Sequence, residues 1–325
     1  ETVNNKEKQI FLGCVFLYFF FSVGILIFSG ALNQGHWYYS REALRESSII
    51  AVIVSYFIWG SRLIIVAYTF ELLEKQQLTL TMVILIVISI CMFDLIFVGN
   101  RISVLLFGIA LVIYIVKNYG LLRLIISGFI IGPFAIIMAI YQNFRYLLFN
   151  SSILELFSEL ISQLPHTNIS TTLLDVFEYF DTLVLLNVFK DVGATIDLAM
   201  GSTFIRVLSW LIPRSIWLDK PLPVSIQIGN YYIPGVSLAL LVFGEYFYNF
   251  SYIGIFIFPI LVYLFCFIYK KICSIIKYKT YLFFIIGFLM FRMGVEDTFI
   301  YVIFATLTYI FLSYLFQDKN QPKFR

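Results

Sequence analysis

Charge is scarce in this chain. Only 13% of its 325 residues are Asp, Glu, Lys or Arg, against 61% hydrophobic ones, and the mean hydropathy is +0.93. A water-soluble domain of this length has far more polar surface to offer, so a soluble globular fold is excluded. Histidine is nearly absent, with only His36 and His166. The four cysteines, Cys14, Cys91, Cys266 and Cys273, show neither metal-ligand spacing nor a disulfide framework. No P-loop, GxSxG, HExxH or paired-carboxylate DxD occurs, which argues against ATP hydrolysis and nucleotide-sugar chemistry. Short alternating strands are missing, which sets aside a β-barrel. No internal repeat is evident, which weighs against a secondary transporter of two matching halves.

What the chain does have is a series of apolar runs near twenty residues long, the mark of an all-α, polytopic transmembrane protein. The runs fall at roughly 10–30, 48–70, 78–98, 101–116, 121–141, 251–269, 281–293 and 298–316. They predict an N-terminal membrane region over 1–141, a mixed segment over 142–250 and C-terminal spans over 251–325. The middle segment reads as amphipathic helices and turns on one membrane face. Its end, "GVSLALLVFGEYFYNF", fits a re-entrant helix, an interfacial helix or a full span. The chain begins with Glu1 rather than Met, so a trimmed chain with further spans upstream is the expectation.

Lysine sets the expected orientation. The loop "KKICSIIKYK" carries Lys270, Lys271, Lys277 and Lys279, and the tail "QDKNQPKFR" adds three more basic residues. With both on the inner side, Lys6, Lys8, Lys75, Lys117 and Arg123 fall there too, and 142–250 faces outward. The inner side then holds ten Lys and three Arg, and the outer side seven Arg and two Lys. Outer arginines run against the positive-inside rule and need another reason.

Arginine presents a planar, permanently charged fork that matches phosphate oxygens in pairs. Several arginines on one membrane face point to an anionic ligand there, and a lipid-linked diphosphate is the natural candidate. Snorkelling to ordinary headgroups is the plain alternative for any one of them. Arg206 and Arg214 stand eight residues apart in "GSTFIRVLSWLIPRSIWLDKP", which on one helix puts them within about a quarter turn of each other. Pro213 disturbs that helix and "LDKPLP" ends it. Arg101 falls in the turn "VGNRIS", and Arg145 just past the fifth span in "YQNFRY". Asp175, Glu178 and Asp181 share a helical face, for which a solvated face is the simpler reading. Glu245 is a lone carboxylate among aromatics, either buried and functional or reaching water. Glu296 and Asp297 neighbour Arg292 and are expected to pair with it, and His166 follows Pro165 in a loop.

"FIRVLSWLIPRSIWLDKP", followed by "GVSLALLVFGEYFYNFSYIGIF", resembles bacterial oligosaccharide repeat-unit polymerases of the Wzy type, which act on O-antigen and capsule. "VGNR" and "FEYFDTLVLLN" fit the same pattern, and the likeness covers roughly residues 95–315. The chain has fewer spans than the family usually shows. The resemblance implies a GT-C-like fold of about eight or more spans in the bacterial inner membrane. It implies transfer of a glycan from undecaprenyl diphosphate to the sugar of a new lipid-linked repeat unit at the outer face. Undecaprenyl diphosphate is a good leaving group, so the need is to stabilise charge growing on it, a task for fixed arginines. On this reading Arg206 and Arg214 grip the donor diphosphate, while Arg101 and Arg145 assist or hold the acceptor's. Lys220 stands with them as a cation and, with Asp219, fixes the loop. The base for the attacking hydroxyl is sought among Glu245, Asp181 and His166, in that order. Neither nucleotide nor metal is called for, and no cofactor is expected. Expected partners are the lipid-linked oligosaccharide, membrane lipid, a chain-length regulator and a flippase, with no nucleic acid. The competing readings are an O-antigen ligase, with the same donor and another acceptor, and a flippase or transporter for the lipid-linked oligosaccharide.

Overall fold

The computed structural model describes residues 5–29, 48–95, 102–120, 179–209, 212, 216–232, 238 and 240–316. These form helices, with one isolated bridge between Val192 and Ile196 and no strand among the described residues. In chain order the helices are α1 (Asn5–Phe28), α2 (Ile49–Glu74), α3 (Leu80–Phe93), α4 (Ile102–Tyr119), α5 (Tyr179–Asp191), α6 (Ser202–Ser209), α7 (Val224–Tyr232), α8 (Val242–Phe250), α9 (Tyr252–Ile272) and α10 (Thr280–Leu315). Among the described residues, five stretches are long and apolar enough to cross a membrane: Lys6–Phe28, Ile49–Glu74, Ile102–Tyr119, Tyr252–Ile275 and Asp297–Leu315. This is the pattern of a multi-pass helical membrane protein. The expected span at 121–141 lies outside the described residues.

α2 is the central post. Its N-cap is Ser48, whose hydroxyl accepts from the Ala51 N–H and so satisfies one of the donors a helix start leaves open. Leu63, Ile64, Ile65, Val66 and Ala67 are buried on every side of it, as a helix surrounded by other helices requires. Lipid tails are as apolar as leucine, so close packing rather than water exclusion holds such helices together. Gly60 is where that closeness is greatest. A Cβ there would lie 2.5 Å from the carbonyl carbon of Phe304 on α10. Around it Trp59 stacks on Tyr301 at 4.3 Å and Tyr56 on Phe304 at 5.3 Å.

α10 is not one straight rod. Its 36 residues would span about 54 Å if straight. Yet Tyr281 packs on Phe70 at 5.9 Å and Tyr309 on Tyr68 at 6.3 Å, two neighbouring levels of α2. The helical path therefore turns back on itself, between its apolar limbs Thr280–Arg292 and Asp297–Leu315.

Both limbs end beside a cluster of lysines. Lys277 lies 4.0 Å from Glu7, Lys75 stands over the Tyr278 ring at 3.6 Å, and Lys117 pairs with Glu74 at 2.6 Å. Tyr68 and Tyr309 also donate to Glu7, while Tyr281 and Asn118 donate to Glu74. Tyr278 is in the connection before α10, and burial, then the charges of Glu7 and Glu71, raises its phenol above the usual range. α9 also terminates at this end, with Lys270 and Lys271 in its last turn. The first turns of α9 lie at the opposite, far end, where α8 packs on them.

α3 is described over 14 residues, about 21 Å, and the helical path continues through Asp94 and Leu95 to the limit of the described residues there. At its close, Asp94 accepts from the Oγ of Ser103 on α4 and from the Arg62 guanidinium, midway along α2. The α3–α4 pair is thus fastened at half the height of α2.

Candidate functional site

At the far end, α5 to α8 form a small layer with its own core of Val184, Val188, Val224, Ile228, Leu240 and Phe247. Polar contacts bind its short helices. Tyr232 donates to Asp191 at 2.9 Å, Tyr248 donates to Gln227 at 2.8 Å, and the Ala199 N–H donates to the Tyr248 carbonyl at 3.0 Å. Burial, and then the bond to Asp191, lifts the Tyr232 phenol above its usual range and keeps it a donor.

Within this layer the two segments singled out in the sequence meet. α6 carries Thr203 and, three residues on, Arg206. α8 carries Glu245 and, four residues on, Asn249, so these two share one helical face. Glu245 is 1% exposed and accepts from the Thr203 hydroxyl at 3.3 Å. Asn249 donates to Thr203 Oγ1 and to the Glu245 carbonyl, both at 2.8 Å, and its own side-chain oxygen accepts from the Gly201 N–H at 3.0 Å. Thr203 and Asn249 are fully buried, so every one of these groups would be costly to leave unpaired. The Tyr246 hydroxyl is buried with no hydrogen-bond partner among the described residues. Burial and the adjacent Glu245 charge raise its phenol, which therefore stays protonated beside the carboxylate.

Aromatic rings close the remaining sides. Phe204 lies parallel to Phe250 at 5.9 Å, and Phe258 of α9 meets Tyr246 edge-on at 5.2 Å. α8 and α9 join at Ser251, whose φ of +54° is a left-handed conformation rarely taken by a residue with a side chain. Just beyond, a Cβ on Gly254 would lie 2.3 Å from the Tyr246 carbonyl oxygen, so only glycine permits the contact.

Several expectations change here. Glu245 does not reach water; it is enclosed. α8 has nine residues, about 13 Å, too short for the full span that "GVSLALLVFGEYFYNF" allowed. The helix holding Arg206 stops at Ser209, and the Ile212 N–H closes a turn onto the Ser209 carbonyl at 3.0 Å. The described part of this segment thus leaves the helix between Ser209 and Ile212. Lys220 donates to the Ile212 carbonyl at 2.9 Å. Arg214, Arg101, Arg145, His166, Asp175 and Glu178 lie outside the described residues. For Arg206 and Asp181 the helix is described and the side chain is not.

Thr203 and Asn249 escaped the sequence reading. A threonine and an asparagine in apolar surroundings give no signal of their own, but the four-residue spacing of Asn249 from Glu245 would have revealed a shared polar face. Among the described residues no group of His, Cys, Asp and Glu is arranged to hold a metal. No family model matches the chain, and neither a curated protein nor a solved structure proves similar to it.

Proposed function

We propose that this protein polymerises lipid-diphosphate-linked oligosaccharide repeat units, as Wzy-type polymerases do, at the membrane face opposite its lysine-rich end. The observation that carries the reading is the junction of Thr203, Glu245 and Asn249. It joins the helix bearing Arg206 to a buried carboxylate, the two residue types that glycosyl transfer from a diphosphate requires. Arg206, with Arg214, takes the donor diphosphate and stabilises the charge that grows there as the glycosidic C–O bond breaks. Glu245 takes the proton of the acceptor hydroxyl as that oxygen bonds to the anomeric carbon. Tyr246, kept protonated next to it, offers a second hydroxyl to the sugar.

The test is a reconstitution. Purified full-length protein is given a single undecaprenyl-diphosphate-linked repeat unit, without nucleotide and with metal chelated. A ladder of lengthened glycans is the expected result, lost in Arg214→Ala and Arg206→Ala variants that fold normally. No ladder, but transfer onto an added lipid A core acceptor, assigns the chain as a ligase. Movement of the lipid-linked unit across a vesicle without lengthening assigns it as a flippase.

A further inference from the structure

The lysine-rich end sorts its charges. Its described carboxylates, Glu7, Glu71 and Glu74, are turned inward. Glu7 and Glu71 are buried, and Glu7 and Glu74 accept from the hydroxyls of Tyr68, Tyr309 and Tyr281. The lysines stay at the surface. Lys117 and Lys277 meet those carboxylates. Lys75, Lys270, Lys271 and Lys279 are exposed and form no ion pair among the described residues.

The corner between α9 and α10 shows how the sequence achieves this. Lys270 and Lys271 close α9, and Cys273–Ile275 make a single 3₁₀ turn. The backbone is extended at Ile276, and extended chain sends successive side chains to opposite sides. Ile276 and Tyr278 go into the core, so Lys277 and Lys279 stand out. The Tyr278 ring packs on Tyr68 at 5.1 Å and carries Lys75 Nζ at 3.6 Å and Lys277 Nζ at 5.5 Å. Two mutually repelling ammonium groups thus share one ring. Apolar surface adjoins these cations. Ile275 is 54% exposed among the lysines, and Tyr263, Leu264 and Phe267 are exposed on the α9 turns just before them.

The inside preference of lysine asks only for a side of the membrane. It requires neither carboxylates withdrawn from the rim nor two ammonium groups held at one ring. A soluble acidic partner would match the charge and leave Ile275 and Phe267 unexplained. A lipid with an anionic head matches both, since its phosphate meets the cations and its chains meet the apolar turns.

We propose that the α9–α10 corner is a binding site for an anionic phospholipid of the leaflet at this end. Lys270, Lys271, Lys277 and Lys279, with Lys75, take its phosphate, and its acyl chains lie along α9 beside Leu264 and Phe267. The bound lipid gives the inner end of α9 a support that neighbouring helices do not. The site stands whichever reaction the opposite end performs.

The test follows melting of the purified full-length protein in mixed micelles. A ligand of the folded state raises the melting temperature with its concentration. Phosphatidylglycerol is expected to raise it about 2–4 °C more than phosphatidylcholine at the same content. That difference is expected to vanish near about 1 M salt, where the screening length is about 3 Å. Equal shifts from the two lipids overturn the proposal. Inorganic phosphate at matched charge is expected to give no shift; a shift equal to that of phosphatidylglycerol overturns the lipid in favour of a soluble anion. The triple variant Lys270→Gln/Lys271→Gln/Lys277→Gln is expected to lose the lipid difference. Lys190→Gln, exposed at the opposite end, is expected to keep it.

A second measurement leaves every lysine in place, so it does not depend on the triple variant folding. Ile275→Trp puts a fluorophore in the corner. Its added emission is expected to be quenched about 2-fold or more better by dibrominated phosphatidylglycerol than by dibrominated phosphatidylcholine. Equal quenching by the two overturns the site.

Discussion

Glu245 accepts a hydrogen bond from the Thr203 hydroxyl. Glu245→Gln preserves an oxygen for Thr203 and nearly the same volume. The expected outcome is a melting temperature close to the parent's with glycan transfer reduced by about 10²-fold or more, as for loss of a general base. A melting temperature that falls while transfer per folded molecule persists would make Glu245 structural only. Glycine offers a sharper stability test. Gly60→Ala places a methyl against the Phe304 backbone and is expected to cost about 1–3 kcal/mol, read as a lowered melting temperature in detergent. Gly24→Ala meets nothing within 4 Å among the described residues and is expected to be neutral or slightly stabilising. Which glycine is which could not be read from sequence, because both stand in similar apolar runs. Glu245 was visible there as a carboxylate out of place. Its burial was not, since burial depends on α6, some forty residues away.

Among the elements, the junction of α6 and α8 is the most exposed to single changes. Asn249 alone contributes three hydrogen bonds to it. Asn249→Leu leaves Thr203 and the Gly201 N–H without their partner, so α6 should detach before the membrane helices loosen. Limited trypsin digestion is expected to cut faster at Arg214 in this variant, with the rest of the chain intact. Hydropathy captured the long helices because twenty apolar residues are a strong, local signal. It gave both α3 and α4 as spans, and α4 is long and apolar enough for one, but it cannot sense that Asp94 ties the two to Arg62 halfway along α2. The one sequence clue was a pair of opposite charges, Arg62 and Asp94, each inside an apolar run. Their pairing explains both, and it leaves neither free to line a passage.

At the scale of the whole molecule, the two ends differ in kind. One is closed by carboxylates, tyrosines and lysines, with Glu7 and Glu74 each gathering several donors. The other carries the short helices and the enclosed Glu245. The lysine-rich end is expected to be cytoplasmic. A cysteine placed at Lys277 should react with an impermeant maleimide only after cells are permeabilised, and one placed at the exposed Leu218 should react in intact cells. Reversed labelling would place the candidate site on the cytoplasmic side and remove the basis for an outer-face polymerase. Lysine asymmetry made this polarity legible in sequence. The short helices were legible only as amphipathic pieces of 142–250; which of them meet was not, because that comes from contacts among α5, α6, α7 and α8 rather than from any run of residues.

α9 stands at the edge of the bundle, with only 11% of its apolar window buried against protein. Its 21 residues make about 32 Å, close to the thickness of an average hydrocarbon layer. Most of its circumference therefore answers to lipid, and a thinner bilayer obliges it to lean. Through Gly254 its first turn is pressed against the Tyr246 backbone, so the lean is passed to the helix bearing Glu245. Acyl-chain length becomes a setting of the site, as solvent composition is for a soluble enzyme.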